Sequence, residues 1–356
     1  MTTIELFLKL VRRALWQTPE QLPAQLSPAM FANLMRGARE QSLMGLVADS
    51  LLHSGITLSD EQQLQLTVMT MKVRRCNAEV NKGLRLLKDT LDAQHIPFIV
   101  VKGQVAAAAY PDPSLRQAGD IDYYCSADVF PQACQAVSAA WGIDMQPPAD
   151  DNWMHIHFDH SGIVYEAHRR LVSFYGKKTD RYWQQLVDWD GGDVVTIGDM
   201  QVPTLSPELH AVYVFLHLYS HLMGLGVGLR QMCDLSVLLH QHHAHIDTAH
   251  MLSTLRTLGM ERAYRAVGAI LADYLGLSTG DLGFCPSATD RRYARRIFAI
   301  VRYRGNMGAY NKKSGFSGWR HNVEAAAIKL SHFAKFFPLA PAFSCRWIAY
   351  ELTKKL

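Results

Sequence analysis

Asp120 and Asp122 stand either side of one isoleucine in PFIVVKGQVAAAAYPDPSLRQAGDIDYYC, residues 97–125. In an extended strand, residues two apart project from the same face. Both carboxylates therefore point together, and Ile121 turns to the opposite, buried face. Adjacent carboxylates repel, and burial raises their pKa values unless a cation sits between them. Mg²⁺ meets that need, because it takes one or two carboxylates plus substrate phosphates. Metal-assisted phosphoryl transfer often uses a further carboxylate. Glu166, in IVYEAH, alternates with Tyr165 and Ala167 and so shares a sheet face with His168. If its strand lies beside the Asp strand, Glu166 completes an acidic triad that holds metal or activates a nucleophile.

Upstream, Lys102 and Gly103 end an apolar run and open a helical one. A helix N-terminus presents free N–H groups and partial positive charge, which suit phosphate. Gly103 permits close backbone approach. Lys102 adds a point charge, and Arg116, in the loop before the aspartates, adds a bidentate fork. An Asp-x-Asp or a Lys-Gly alone carries little weight, since short motifs recur by chance. Their order and their placement on expected elements give the set its force.

Other residues read more plainly. His217 and His221 are four apart on one helix face, with no third ligand in view, and read as hydrogen-bonded, partly buried histidines. Arg230 and Asp234 repeat that spacing and read as a pair, the alternative being an arginine that faces nucleotide. His240, His242, His243, His245 and His250 read as a polar inter-helix loop, the alternative being adventitious metal binding. Phe333, Phe336, Phe337 and Trp347, interleaved with Lys329, Lys335 and Arg346, read as core with a basic outer face.

The elements that must position these groups follow from periodicity and punctuation. Residues 1–95 carry apolar residues at three-and-four spacing and read as helices, with Ser59 or Asp60 capping a long one. PFIVV and DIDYYC read as strands, and QVAAAAY between them as helix. YPDPSLRQAGD is loop. DVFPQACQAVSAAWG reads as a helix with Pro131 in its first turn and Gly142 at its end. HIHFDH and IVYEAHRRL flank Ser161 and Gly162 as a hairpin. DVVTIGDMQVPTL reads as two further strands around Gly198 and Asp199. From Ser206 onward the chain reads as helical, with breaks near 224–228, 276–286 and 305–318. The expected fold class is α+β, with a small mixed sheet at residues 96–204 flanked by helical regions at 1–95 and 205–356.

Composition bounds the rest. The chain has 356 residues, 49% of them hydrophobic, enough for a substantial core. The N-terminal segment reads as an amphipathic helix start rather than a secretory signal. HAVYVFLHLYSHLMGLGVGL, rich in histidine and glycine, reads as a buried helix rather than a membrane span. Six scattered cysteines form no CxxC pair, which disfavours a zinc motif or a disulfide framework. A reducing cytoplasm is the expected location. Residues 291–356 hold 14 of the 36 Lys and Arg residues but two of the 32 acidic ones, Glu324 and Glu351. That region therefore carries +12 and the preceding 290 residues −8. Such a surface either attracts nucleotide, nucleic acid or an anionic membrane face, or is simply the solvated face of helices.

Taken together, the segment from the strand before Lys102-Gly103, through Tyr110-Pro111, Arg116 and Gly119-Asp120-Ile121-Asp122, to Glu166 and His168, resembles the bacterial uncharacterised nucleotidyltransferases. These belong to the wider DNA polymerase β-like superfamily. The helical stretch with His217, His221, Arg230 and Asp234 is similar too, so the resemblance spans roughly residues 30–275. It implies that Asp120, Asp122 and Glu166 hold Mg²⁺ or Mn²⁺, and that Lys102, Gly103, Arg116 and Gly119 hold the triphosphate. It implies transfer of a nucleoside monophosphate from an NTP, ATP by default, to an acceptor (protein, small molecule or RNA) with loss of pyrophosphate. In the wider superfamily a serine usually follows the glycine; here Gln104 does. The alternatives are a catalytically inactive nucleotide-binding module, or a basic protein that binds nucleic acid or an anionic membrane surface.

Overall fold

Apolar residues at helical spacing build α1 (Thr3–Trp16), α2 (Pro28–Glu40), α3 (Met44–Leu52) and α4 (Asp60–Asp92). Thr2 and Ser59 each open a capping box, answered by Glu5 and Gln62. The structure, a computed structural model, describes residues 1–146, 153–224, 226–304 and 319–353.

The α/β segment runs β1 (Ile99–Val101), α5 (Gly103–Ala107), β2 (Ile121–Tyr124), α6 (Phe130–Trp141), β3 (His155–His160), β4 (Ile163–His168), α7 (Lys177–Trp189), β5 (Asp193–Ile197) and β6 (Met200–Thr204). Gly142 closes α6 in the left-handed conformation, as expected of a C-terminal glycine. α5 stops at Ala107, earlier than the sequence pattern suggested. Pro111 explains part of this, because it disfavours helical geometry at Tyr110. α7 was not expected at all.

The first sheet has strand order β1-β2-β4-β3. β1 and β2 are antiparallel, β2 and β4 parallel, and β4 and β3 antiparallel. The sheet is therefore mixed, as expected. Ser161 and Gly162 make the β3–β4 turn with φ of 55° and 75°, the left-handed pair of a tight hairpin. β5 and β6 form a separate antiparallel pair.

The remaining helices are α8 (Pro207–Met223), α9 (Leu229–His242), α10 (Thr248–Thr257), α11 (Glu261–Asp273), α12 (Thr279–Leu282), α13 (Ala288–Arg304), α14 (Trp319–Phe336) and α15 (Pro341–Thr353). The break expected over 305–318 lies outside the described residues, as do Lys312, Lys313, Lys354 and Lys355. No helix among the described residues is long and apolar enough to cross a membrane. α13 turns Arg292, Arg295 and Arg296 to solvent, and none has a carboxylate partner among the described residues.

Two cores result. The smaller lies behind the sheet, where Ile121, Tyr123, Tyr165 and Ala167 meet Leu84, Leu87 and Leu91 of α4 and Val137 of α6. The larger joins both ends of the chain: Leu10, Leu34 and Val47 share it with Phe215, Tyr264, Ile297 and Trp347. Trp16 Nε1 donates to the Leu275 carbonyl at 2.6 Å across that core. The molecule is α+β, with a small mixed sheet flanked by helices.

Candidate active site

Strand period decides which groups leave the apolar side of the sheet. Ile121 is buried behind it, while Asp122 faces forward with Glu166 and His168. The parallel register sets Asp122 opposite Glu166 and Tyr124 opposite His168. The antiparallel register sets Val101, the last residue of β1, opposite Asp122. Lys102 thus emerges beside Asp122. Together these groups line a cavity of about 510 Å³, bounded on its far side by His217 and His221 of α8 and Arg230 of α9. All seven residues expected from the sequence line it: Lys102, Gly103, Arg116, Gly119, Asp120, Asp122 and Glu166.

Asp122 is the hub. Lys102 Nζ lies 2.7 Å from its Oδ1, and His168 Nε2 lies 3.1 Å from the same oxygen. Burial alone would raise the Asp122 pKa, but Lys102 and His168 hold it far below the carboxylate range. Burial likewise works against the Lys102 ammonium, and Asp122, Tyr213 and Glu166 together more than offset it. Among the described residues, both of these contacts fall on Oδ1. Asp120 sits at the exposed lip. Desolvation against the cleft wall raises its pKa, and the charges of Asp122 and Glu166 raise it further. A cation beside Asp120 relieves that repulsion, and hard carboxylate oxygens suit Mg²⁺.

The phosphate side is arranged differently from the expectation. Lys102 has φ +56 and Gly103 φ +39, so the turn after β1 is left-handed. The helix it opens is only five residues long. Arg116 is buried, and its Nε and Nη2 grip Asp234 at 2.7 and 2.9 Å, with Tyr110 Oη adding a third bond to that carboxylate at 2.7 Å. The four-residue spacing of Arg230 and Asp234 therefore did not identify the true pair: a bidentate fork from the loop outcompetes the helical neighbour. Arg230 instead donates from Nη1 to the Gln117 carbonyl at 2.9 Å. It has no carboxylate within ion-pair distance among the described residues, and burial and Arg116 lower its pKa. Arg230 is thus a cleft cation short of counter-charge. Gln104 is buried and donates to Asn81 Oδ1, which fixes it to α4 rather than to the cleft.

His217 and His221 contact each other at 2.9 Å, and His217 lies 3.4 Å from Lys102 Nζ. Burial and Lys102 push both histidines down, His221 to about 4. They stay neutral at ordinary pH, in keeping with the hydrogen-bonded reading. One residue was missed in the sequence. His155 is the cross-strand partner of His168, and its Nε2 lies 3.9 Å from Glu166 Oε1. Among the described residues, the set of three whose donor atoms all fall within 4.8 Å is His155, Glu166 and His168, not the three carboxylates.

A family model described as an uncharacterised nucleotidyltransferase matches residues 27–276. No curated protein matches. Among solved structures, the chain is similar to an antigenic nucleotidyltransferase-like protein from Paracoccidioides brasiliensis. That likeness has 12% identity and a TM-score of 0.37, over 60% of this chain and 97% of that one. The chain belongs to the uncharacterised nucleotidyltransferase family.

Proposed function

We propose that this family member transfers a nucleoside monophosphate from an NTP to an acceptor nucleophile. The observation that carries the reading is the β2–β4 register. It brings Asp122 and Glu166 side by side in one cleft, with Asp120 at its lip and Arg230 across from it. Asp120 and Asp122 would hold Mg²⁺ or Mn²⁺, which would supply positive charge to offset that of the phosphates. Arg230, with Lys102 and the backbone at Gly103 and Gly119, receives the triphosphate. Arg116 acts through its grip on Asp234, which fixes the loop leading to the aspartates. The acceptor oxygen or nitrogen attacks the α-phosphorus as the bond to the β-phosphate bridging oxygen breaks. Pyrophosphate leaves, and Glu166 takes the acceptor's proton.

The test is thermal. NTP with Mg²⁺ should raise the melting temperature of the wild type. Asp120→Asn with Asp122→Asn should abolish the rise, and Arg230→Gln should shrink it. A wild type with no metal-dependent nucleotide shift sinks the proposal. Incubation with α-labelled NTPs and a cell extract then shows which acceptor becomes labelled.

A second reading is favoured by two contacts. Lys102 is spent on Asp122, and Gln104 is tied to Asn81 where the wider superfamily has a phosphate-contacting serine. On this reading the chain binds nucleotide without transferring it. Nucleotide-dependent stabilisation with no pyrophosphate release across broad acceptor screens would favour it.

A further inference from the structure

The corner of the sheet beside Glu166 has a composition that Mg²⁺ chemistry does not require. His155 on β3 pairs with His168 on β4, and Glu166 pairs with His157 two residues along the same ladder. Residues two apart share a face, so His155, Glu166 and His168 rise together toward the cleft. Their donor atoms all lie within 4.8 Å of one another. His168 Nε2 stands 3.3 Å from Glu166 Oε2, and His155 Nε2 stands 3.9 Å from Glu166 Oε1. A tetrahedral ion with bonds of about 2.0–2.2 Å sets its ligands roughly 3.3–3.6 Å apart. The first separation already matches, and the second closes with a small turn of the half-exposed His155 ring.

Donor type discriminates between ions. Mg²⁺ and Ca²⁺ take oxygen, whereas imidazole suits Zn²⁺, Co²⁺ and their first-row neighbours. Two imidazoles and one carboxylate leave the fourth position of a tetrahedral ion open, and here it opens on the cleft. We propose that His155, Glu166 and His168 form a binding site for a divalent transition-metal ion of the Zn²⁺ class. The site adjoins the Asp120–Asp122 pair, since His168 Nε2 also lies 3.1 Å from Asp122 Oδ1, but it takes no ligand from that pair. It shares Glu166 with the transfer reaction but does not rest on it. The Nδ1 atoms of His155 and His168 have no hydrogen-bond partner among the described residues. No group among the described residues supplies the outer hydrogen bond that tightens resident sites, so the site would bind its ion more weakly than one with such bonds.

The experiment titrates the metal-stripped full chain with Co²⁺, in excess Mg²⁺ and without nucleotide, following visible absorption. One Co²⁺ should bind per chain and be displaced by Zn²⁺. His155→Gln should weaken binding by about tenfold or more. Circular dichroism of the variant checks that its fold is kept. Asp120→Asn should leave Co²⁺ binding intact while removing the Mg²⁺–nucleotide response, so the two proposals fail separately. The site is overturned by the absence of saturable Co²⁺ binding, or by unchanged binding in His155→Gln. It is overturned equally if binding disappears in His240→Gln with His243→Gln, which would move it to the histidine-rich loop.

Discussion

Arg116 and Asp234 lie 118 positions apart and meet in a buried bidentate pair, with Tyr110 completing the shell. Burial alone would push the Asp234 pKa up, but Arg116 holds it below the usual carboxylate value. Asp234→Asn keeps the shape and removes the charge, leaving the guanidinium uncompensated in the interior. We expect a loss of about 3–5 kcal/mol in denaturant unfolding, with weaker nucleotide binding because the loop before Asp120 loosens. His210 gives a pH signature. It accepts the Lys102 backbone N–H at 3.3 Å, and burial pushes it down to about 4. An unfolded histidine titrates near about 6.5, so between these values the unfolded chain binds a proton that the native chain refuses. This lowers stability as pH falls through that window, by about 1.4 kcal/mol per unit. Denaturant midpoints from pH 7 to 4.5 should fall more steeply for wild type than for His210→Gln; parallel curves would refute this. At this scale the sequence revealed what one strand's period controls, namely that Asp120 and Asp122 face away from Ile121. The partners of Lys102, Arg116 and His155 depend on strand register and tertiary distance, which no local spacing encodes.

Elements carry those registers. The hairpin was legible because Ser161-Gly162 sits between two alternating runs, and a tight turn fixes its pairing. The parallel pairing of β2 with β4 was not legible, since α6 and β3 separate the two strands in the chain and no local turn fixes their register. α7 did leave a signal: Tyr182, Trp183, Leu186 and Val187 fall at helical spacing, masked by a polar remainder. Helix packing also makes a prediction about glycine. In α3, a Cβ at Gly45 would lie 2.2 Å from the Leu115 carbonyl oxygen, a backbone atom beside Arg116. In α2, a Cβ at Gly37 would meet Phe7 at 3.7 Å, an ordinary contact. Gly37→Ala should therefore stabilise by up to about 1 kcal/mol through helix propensity. Gly45→Ala should destabilise by about 1–3 kcal/mol through overpacking, despite the same propensity gain. Urea midpoints moving in opposite directions confirm the packing argument, and a shared direction contradicts it.

The whole molecule is stitched from its ends. The breaks in the sequence pattern suggested three segments, and composition could not show which of them pack together. Trp16 reaches the Leu275 carbonyl at 2.6 Å, and buried Gln41 bonds both the Leu229 amide at 2.8 Å and the Val301 carbonyl at 3.1 Å. Leu229 opens α9, the helix that carries Arg230 and Asp234. The N-terminal helices therefore hold one wall of the cleft as well as their own core. Deleting residues 1–58 would break the shared core that joins these helices to the rest of the chain, and would strand the Leu229 amide of α9 and the Val301 carbonyl of α13. Exposed apolar area costs about 25 cal/mol per Å², and a domain's total stability is only about 5–15 kcal/mol. The truncated chain should accordingly lose its cooperative thermal transition and its near-ultraviolet dichroism. The full chain should show no separate, lower-temperature transition for α1–α3 in calorimetry. A truncated chain that still melts cooperatively near the full-length temperature would show that the two ends fold independently and that the cleft wall stands without α1–α3.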